Sequence, residues 1–255
     1  MKTRYLSSIV SLILVFQTAA ITAETFQSTN QRVNVLELYT SEGCSSCPPA
    51  DRWLSRFKND DRLWKEIVPV AFHVDYWNYI GWEDRFSSAA YSNRQRRYAS
   101  SKGLRTVYTP GFLLNGNEWR SFFGTRNLSL DNGTGAGMLA AEVNDQNIHV
   151  SYQHRQANDY IINIAVLGFD LETEINAGEN RGKTLTHDFT VLGFSTRRLT
   201  MTDTGYETST VLPSRSVPAP RMAVAVWISL PGDQTPLQAT GGWLEENTGI
   251  KKARY

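Results

Sequence analysis

The sequence predicts an α/β domain over residues 24–135 followed by an all-β, sandwich-like domain over 136–255, behind a leader at 1–23. Three observations carry that prediction. The first half alternates apolar, strand-like runs with helical segments, and it holds both cysteines and five of the seven tryptophans. The second half reads as short alternating strands separated by Gly, Asn and Asp. Between the two, Asp131-Asn132-Gly133-Thr134-Gly135-Ala136-Gly137 is rich in residues that tolerate turns and poor in any that pack.

Each element has its own warrant. Val33 to Tyr39 is a mostly apolar run of β-formers, and Val68 to Asp75 is a second buried-type strand. From Ala50 to Lys58, Trp53, Leu54 and Phe57 recur at helical spacing with polar residues between them, and Pro48 suits a first helical turn, where its missing N–H costs nothing. Asp84 to Lys102 is a long polar helical stretch that Gly103 ends. Val107 to Trp119 reads as a strand, a tight Asn115-Gly116 turn and a returning strand. Further on, residues 147–152, 160–166, 189–192 and 222–228 are strands at the spacing of a small sandwich.

Lys2 and Arg4 precede the apolar run Ile9 to Phe16, and the small residues Ala19, Ala20 and Ala23 follow, the order of a secretory signal peptide. The expectation is export to the periplasm or beyond. The run is shorter than the about 20 apolar residues of a membrane span, and no later segment is long enough either, so no membrane insertion is expected after cleavage. Removing Lys2 and Arg4 from 26 basic residues leaves 24 against 25 acids. That balance speaks against nucleic acid or an anionic membrane as the main partner.

The chemistry concentrates in Ser41-Glu42-Gly43-Cys44-Ser45-Ser46-Cys47-Pro48-Pro49, which contains the only two cysteines of the chain. A C-x-x-C pair just past an apolar strand points to redox work rather than to a disulfide framework. A free thiol of ordinary pKa is only about 3% thiolate at pH 7, and a helix N-terminus, with its unpaired N–H groups and partial positive charge, raises that fraction. Cys44 lies first, at the exposed mouth of the turn, and is the expected nucleophile; Cys47 is the resolving thiol. The hydroxyls and amides of Ser45 and Ser46 are expected to support the Cys44 thiolate. Strand carboxyl ends share one edge, which puts Asp75, Tyr76 and Trp77 near Cys44. They read either as a wall for an apolar peptide or small ligand, or as a packed loop that caps the core.

Strand, C-x-x-C at a helix start, strand, helix, Thr-Pro and hairpin, over roughly residues 33 to 123, is an order that resembles the thioredoxin superfamily. The resemblance implies a thioredoxin-like α/β domain, a cis Pro110 facing the disulfide, and a Thr109 whose backbone meets the substrate. Two departures stand out: Gly43 replaces the usual tryptophan before the first cysteine, and Leu38 replaces the usual buried aspartate. Glu37 or Glu42 is then left as a proton acceptor for Cys47, with water as the other option. The wider chain resembles the DUF1223 family of secreted bacterial proteins in Leu36 to Asp51, His73-Val74-Asp75-Tyr76-Trp77 and Gly178-Glu179-Asn180-Arg181-Gly182-Lys183-Thr184-Leu185.

The expected function is an exported thiol–disulfide oxidoreductase that acts through Cys44 and Cys47 on protein or small-thiol substrates and is recycled by a redox partner protein, with no cofactor. Two readings stand beside it. One is a non-catalytic binding module with a structural disulfide, although a bridge over so short a loop removes little unfolded-state entropy. The other is Cu(I) handling by two thiolates. His73, His149, His154 and His187 lack metal-ligand spacing, so no metal site is assigned, and His154 and His187 read as surface or hydrogen-bonded residues. The second half offers no further catalytic motif and is assigned to substrate or partner presentation.

Overall fold

The computed structural model describes residues 23–103 and 106–245, so nearly all of the expected leader lies outside the described residues. In chain order the elements are β1 (Glu24–Gln27), β2 (Asn34–Thr40), α1 (Pro48–Ser55), β3 (Ile67–His73), α2 (Ala89–Lys102), β4 (Gly111–Leu114), β5 (Asn117–Glu118), β6 (Met138–Asn144), β7 (Asn147–Gln153), β8 (Ile161–Phe169), β9 (Leu171–Glu174), β10 (Thr184–His187), β11 (Thr190–Arg198), β12 (Thr200–Thr202), β13 (Gly205–Val211), β14 (Arg221–Leu230) and β15 (Asp233–Leu244). The strands form an eight-stranded sheet in the order β15-β14-β8-β11-β3-β2-β4-β5, a five-stranded sheet β1-β6-β7-β13-β12, and the pair β10-β9.

This corrects the expected fold class. Instead of a thioredoxin-like α/β domain followed by a separate β-sandwich, the chain is mostly strand, with two α-helices among the described residues. The reason lies at β3. Its free edge is taken by β11 from the second half of the chain, through the parallel pairing of Thr190 with Ala71 and an Ala71 N–H that donates to the Phe189 carbonyl at 2.8 Å. From there β8, β14 and β15 continue antiparallel, so one sheet takes strands from both sides of residue 135.

The burial pattern explains the strand composition. Along β8, Ile162, Ile164 and Val166 face one core and Ala165, Leu167 and Phe169 the other; along β14, Val224, Val226 and Ile228 alternate in the same way with Ala223, Ala225 and Trp227. Strands covered on both faces read as unbroken apolar runs. The five-stranded sheet covers one of those faces, and its β6 and β7 alternate buried with exposed residues because their other face is wet.

Local choices agree with this plan. Pro48 opens α1, and Ser88 caps α2 by accepting from the Ala90 N–H. The helical pattern expected from Asp84 begins only at Ala89, because Asp84 and Phe86 are drawn into the core beneath the disulfide turn. Asn115 and Gly116 both take positive φ, 49° and 75°, as a two-residue hairpin turn requires.

Candidate functional site

Strands β2 and β3 run parallel and end together, with Thr40 level with His73, and the chain leaves β2 through Ser41 to Ser46 into α1. Cys44 and Cys47 are joined by a disulfide, and Cys47 immediately precedes α1, its carbonyl accepting from the Ala50 and Asp51 N–H groups. Cys44 Sγ lies 3.3 Å from Ser46 Oγ and 3.7 Å from the carbonyl oxygen of Thr109, whose bond to Pro110 is cis. The expected exposed mouth is absent: Cys44 is 1% exposed and Cys47 0%, although Ser45 and Ser46 between them are exposed.

The aromatic loop after β3 supports this arrangement. Trp77 Nε1 donates to Thr109 Oγ1 at 2.7 Å, Tyr76 Oη donates to Gln95 Oε1 at 3.0 Å, and Gln95 Nε2 donates to the Tyr108 carbonyl at 2.8 Å. Trp77 thus holds the Thr109 side chain, and Tyr76 through Gln95 holds the Tyr108 carbonyl, beside the disulfide. Asp75 turns away, bonded through its carboxylate and its amide to Ser92 of α2. A Cβ at position 43 would lie 3.0 Å from Trp77 Cβ and 3.2 Å from Ile80 Cδ1, so Gly43 is the residue that lets Trp77 pack over the disulfide turn.

The two glutamates expected near Cys47 go elsewhere. Glu37 projects from the opposite face of β2 from Thr40, where Arg94 Nε donates to it at 2.8 Å and the hydroxyls of Tyr39 and Tyr98 donate at 3.0 and 2.7 Å. Glu42 is wholly buried and turns inward, where Trp82 Nε1 donates to its Oε2 at 2.9 Å.

Behind the disulfide turn lies a cluster that the sequence did not reveal. Thr40 Oγ1 donates to Asp51 Oδ2 at 3.1 Å, His73 Nδ1 lies 2.7 Å from Asp84 Oδ2, and Asp84 also accepts from the Glu42 N–H at 2.9 Å. His187 Nε2 sits 3.2 Å from Glu42 Oε1, near enough for an ion pair but out of line for a hydrogen bond, and its ring meets that of His73 edge-on at 5.0 Å. All five titratable members are buried, the most exposed being Asp51 at 7%. His187, the last residue of β10, is therefore a core residue rather than the surface or hydrogen-bonded residue expected. The imidazoles are also short of partners: both ring nitrogens of His187 and Nε2 of His73 have no hydrogen bond.

Burial sets the charges. Desolvation alone would lower His73, but the charge and hydrogen bond of Asp84, helped by Asp51 and Glu42, raise it to about 9. Burial works against ionising Asp84 too, yet His73 and the amides of Glu42 and Phe86 hold its carboxyl below the ordinary value. Asp51 is pushed up, chiefly by desolvation, against the pull of His187 and His73. Three carboxyls thus share two imidazoles, and burial inclines Asp51 to keep a proton where Asp84 gives one up. It sits one helical turn past Cys47, its N–H donating to the Cys47 carbonyl at 3.1 Å. Nothing marked it beforehand, since it reads as one polar residue on an amphipathic helix. No group of three His, Cys, Asp or Glu side chains among the described residues is arranged to hold a metal ion.

A second long-range contact comes from the loop before β10. Glu179 Oε2 accepts from the Ser45 N–H at 2.9 Å, and Asn180 Nδ2 donates to the carbonyls of Glu42 and Cys44 at 2.8 and 3.0 Å.

The family model described as "Protein of unknown function (DUF1223)" matches residues 35–229, a span that takes in the disulfide turn, the aromatic loop, Thr109-Pro110 and the loop of Glu179 and Asn180. The chain belongs to this family. Among solved structures, protein AGR_C_4864 from Agrobacterium tumefaciens is similar with a TM-score of 0.59 and 22% identity, over 85% of this chain and 96% of that one. HBP35 of Porphyromonas gingivalis is similar with a TM-score of 0.59 and 14% identity, over 89% of this chain and 80% of that one. At such identities the likeness is one of fold. No curated protein matches the chain. Within this DUF1223 chain, the matched span joins the residues of the site across a separation of more than a hundred positions.

Proposed function

We propose that this DUF1223 protein is an exported thiol–disulfide oxidoreductase acting through Cys44 and Cys47 on protein or small-thiol substrates. The observation that carries the reading is the 3.7 Å approach of Cys44 Sγ to the carbonyl of Thr109, whose side chain Trp77 holds. A substrate chain laid along Thr109 would bring its sulfur to Cys44, and Trp77 and Tyr76 would steady the segment that receives it. The resemblance to thioredoxin-like proteins is, in this reading, confined to the disulfide turn and the Thr109–Pro110 segment.

In the oxidising direction a substrate thiolate attacks Cys44 Sγ and the Cys44–Cys47 bond breaks. Its electron pair leaves on Cys47, which takes a proton from Asp51. A second substrate thiolate then attacks the substrate sulfur of the mixed disulfide and releases Cys44 as a thiolate. The substrate has lost two electrons and the cysteine pair has gained them. In reverse, Cys44 attacks a substrate disulfide, the Asp51 carboxylate takes the Cys47 proton, and Cys47 displaces the substrate from Cys44. The recycling partner and its potential select the direction.

A second reading is favoured by the burial of both cysteines: a disulfide that only shapes the mouth of a binding module. Reactivity separates the two. After reduction, the oxidoreductase reading expects Cys44 to titrate well below 8.5 and to alkylate faster than Cys47. Slow and equal alkylation of both thiols supports the structural disulfide instead.

A further inference from the structure

The loop of residues 178–183 reaches the disulfide turn from more than 130 positions away in sequence, and it binds the turn's backbone and the Ser45 hydroxyl. Asn180 is wholly buried; its Nδ2 donates to the carbonyl that precedes Gly43 and to that of Cys44 itself, and its Oδ1 accepts from Lys183 Nζ at 2.8 Å. Gly178 rests on the aromatic loop, where a Cβ would lie 3.1 Å from Ile80 Cδ1 and 3.4 Å from Trp82 Cβ. Glu179, which is exposed, takes the Ser45 N–H. These contacts account for the burial of Cys44 beside two exposed serines.

We infer that Glu179 and Asn180 are positioning residues that restrain Cys44: Asn180 holds the carbonyls on either side of Gly43, while Glu179 places a negative charge on the amide of Ser45, next to Cys44, and occupies a backbone donor that a Cys44 thiolate would use. This rests on the oxidoreductase reading of the same site and adds what sets its reactivity. A thiolate next to a fixed carboxylate is disfavoured by like charge, and it loses a hydrogen bond that would stabilise it. The reduced form of the pair then gains less from Cys44 ionisation, and the oxidised form is favoured. Glu179 is ionised at neutral pH, because hydrogen bonds from the Ser45 hydroxyl and amide hold its carboxyl below the ordinary value. The other charged groups around the turn are Lys183 and Arg181 on the same loop, and Glu42, Asp51, His73, Asp84 and His187 beneath it. Of all these, Glu179 is the one hydrogen-bonded directly to the C-x-x-C backbone from the solvent side, so its influence is the one that salt screens.

The test uses the full secreted chain and compares wild type with Glu179→Gln, Glu179→Asp and Asn180→Ala. Two quantities are read: the pH titration of the Cys44 thiolate by its ultraviolet absorbance, and the potential of the Cys44–Cys47 pair in glutathione buffers. Glu179→Gln keeps the acceptor and removes the charge. It is expected to raise the ionisation constant of the Cys44 thiol by up to about tenfold at low salt, and the potential by up to about 30 mV, the equivalent of a tenfold change for a two-electron couple. The shift should shrink at high salt, and Glu179→Asp should restore most of the wild-type value. Asn180→Ala is expected to speed the first attack on Cys44 by a small thiol, with the circular dichroism spectrum unchanged. Titration and potential that stay at the wild-type values in Glu179→Gln overturn the inference, as does a shift of the same size at all salt concentrations. The oxidoreductase reading fails separately, through the absence of mixed disulfides on Cys44 in the Cys47→Ala variant with Glu179 intact, whatever the Glu179 variants do to the potential.

Discussion

His73 Nδ1 lies 2.7 Å from Asp84 Oδ2, with both side chains shut away from solvent at the base of the disulfide turn. The pair makes stability depend on pH in a definite sense. His73 is raised from 6.5 to about 9, so its contribution is complete below about 6.5 and is lost as the pH rises through about 9. Asp84 is lowered from 3.8, so its contribution is present above 3.8 and is lost as the pH falls through its lower folded value. Asp51, raised from 3.8, acts in the opposite sense and takes away stability as the pH climbs above that value. Denaturant midpoints measured across pH should decline by the equivalent of a few kcal/mol, on the order of 1.4 per pKa unit, between about pH 6.5 and 9. His73→Gln should flatten that decline.

Asp51→Asn separates catalysis from folding. The amide can still accept from Thr40 Oγ1, and it removes a buried carboxyl that burial disfavours, so stability should hold or rise. The transfer of the Cys47 proton should slow by at least about 100-fold, as loss of a general acid–base group does. The check is the lifetime of the mixed disulfide on Cys44 in rapid-quench experiments.

Gly43→Ala tests why no tryptophan precedes Cys44. The added methyl meets Trp77 Cβ at 3.0 Å and Ile80 Cδ1 at 3.2 Å, and of these only the Ile80 methyl can readily move. A cost of about 1–3 kcal/mol is expected. Chemical denaturation should also show that much of the cost disappears when Gly43→Ala is made in a Trp77→Gly background, which removes that Cβ.

Arg94→Leu probes the opposite face of β2. It leaves Glu37 as an uncompensated buried charge, which costs about 3–5 kcal/mol. Because Glu37 and the disulfide turn lie on different sides of the sheet, the potential of the Cys44–Cys47 pair should not change. A shifted potential would return Glu37 to the site.

Much of the neighbourhood of the disulfide was legible along the chain. The apolar run of β2, Pro48 at the head of α1, the apolar run of β3 and the Asn115-Gly116 turn are local signals, and each element formed where its signal lay. The sheet as a whole was not legible, because the pairing of Thr190 with Ala71 depends on which distant strand best fills the edge of β3, and no local periodicity encodes that choice. The buried cluster was hidden for a similar reason. Asp51 carries the same pattern as a solvated helix residue, and His187 that of an exposed strand residue, until β10 packs against α1. The Glu179 and Asn180 contacts were invisible because glycine-rich, charged loops look alike whether they face water or another segment.

Trapping with Cys47→Ala in the full chain decides whether Cys44 is a redox nucleophile. Without a resolving thiol, a working Cys44 should accumulate mixed disulfides with substrate proteins or small thiols, which reducing agent releases for identification by mass spectrometry. If no mixed disulfide forms, and the wild-type Cys44–Cys47 potential lies below about −300 mV, where inert structural disulfides fall, the pair is a structural bridge and the redox account is wrong.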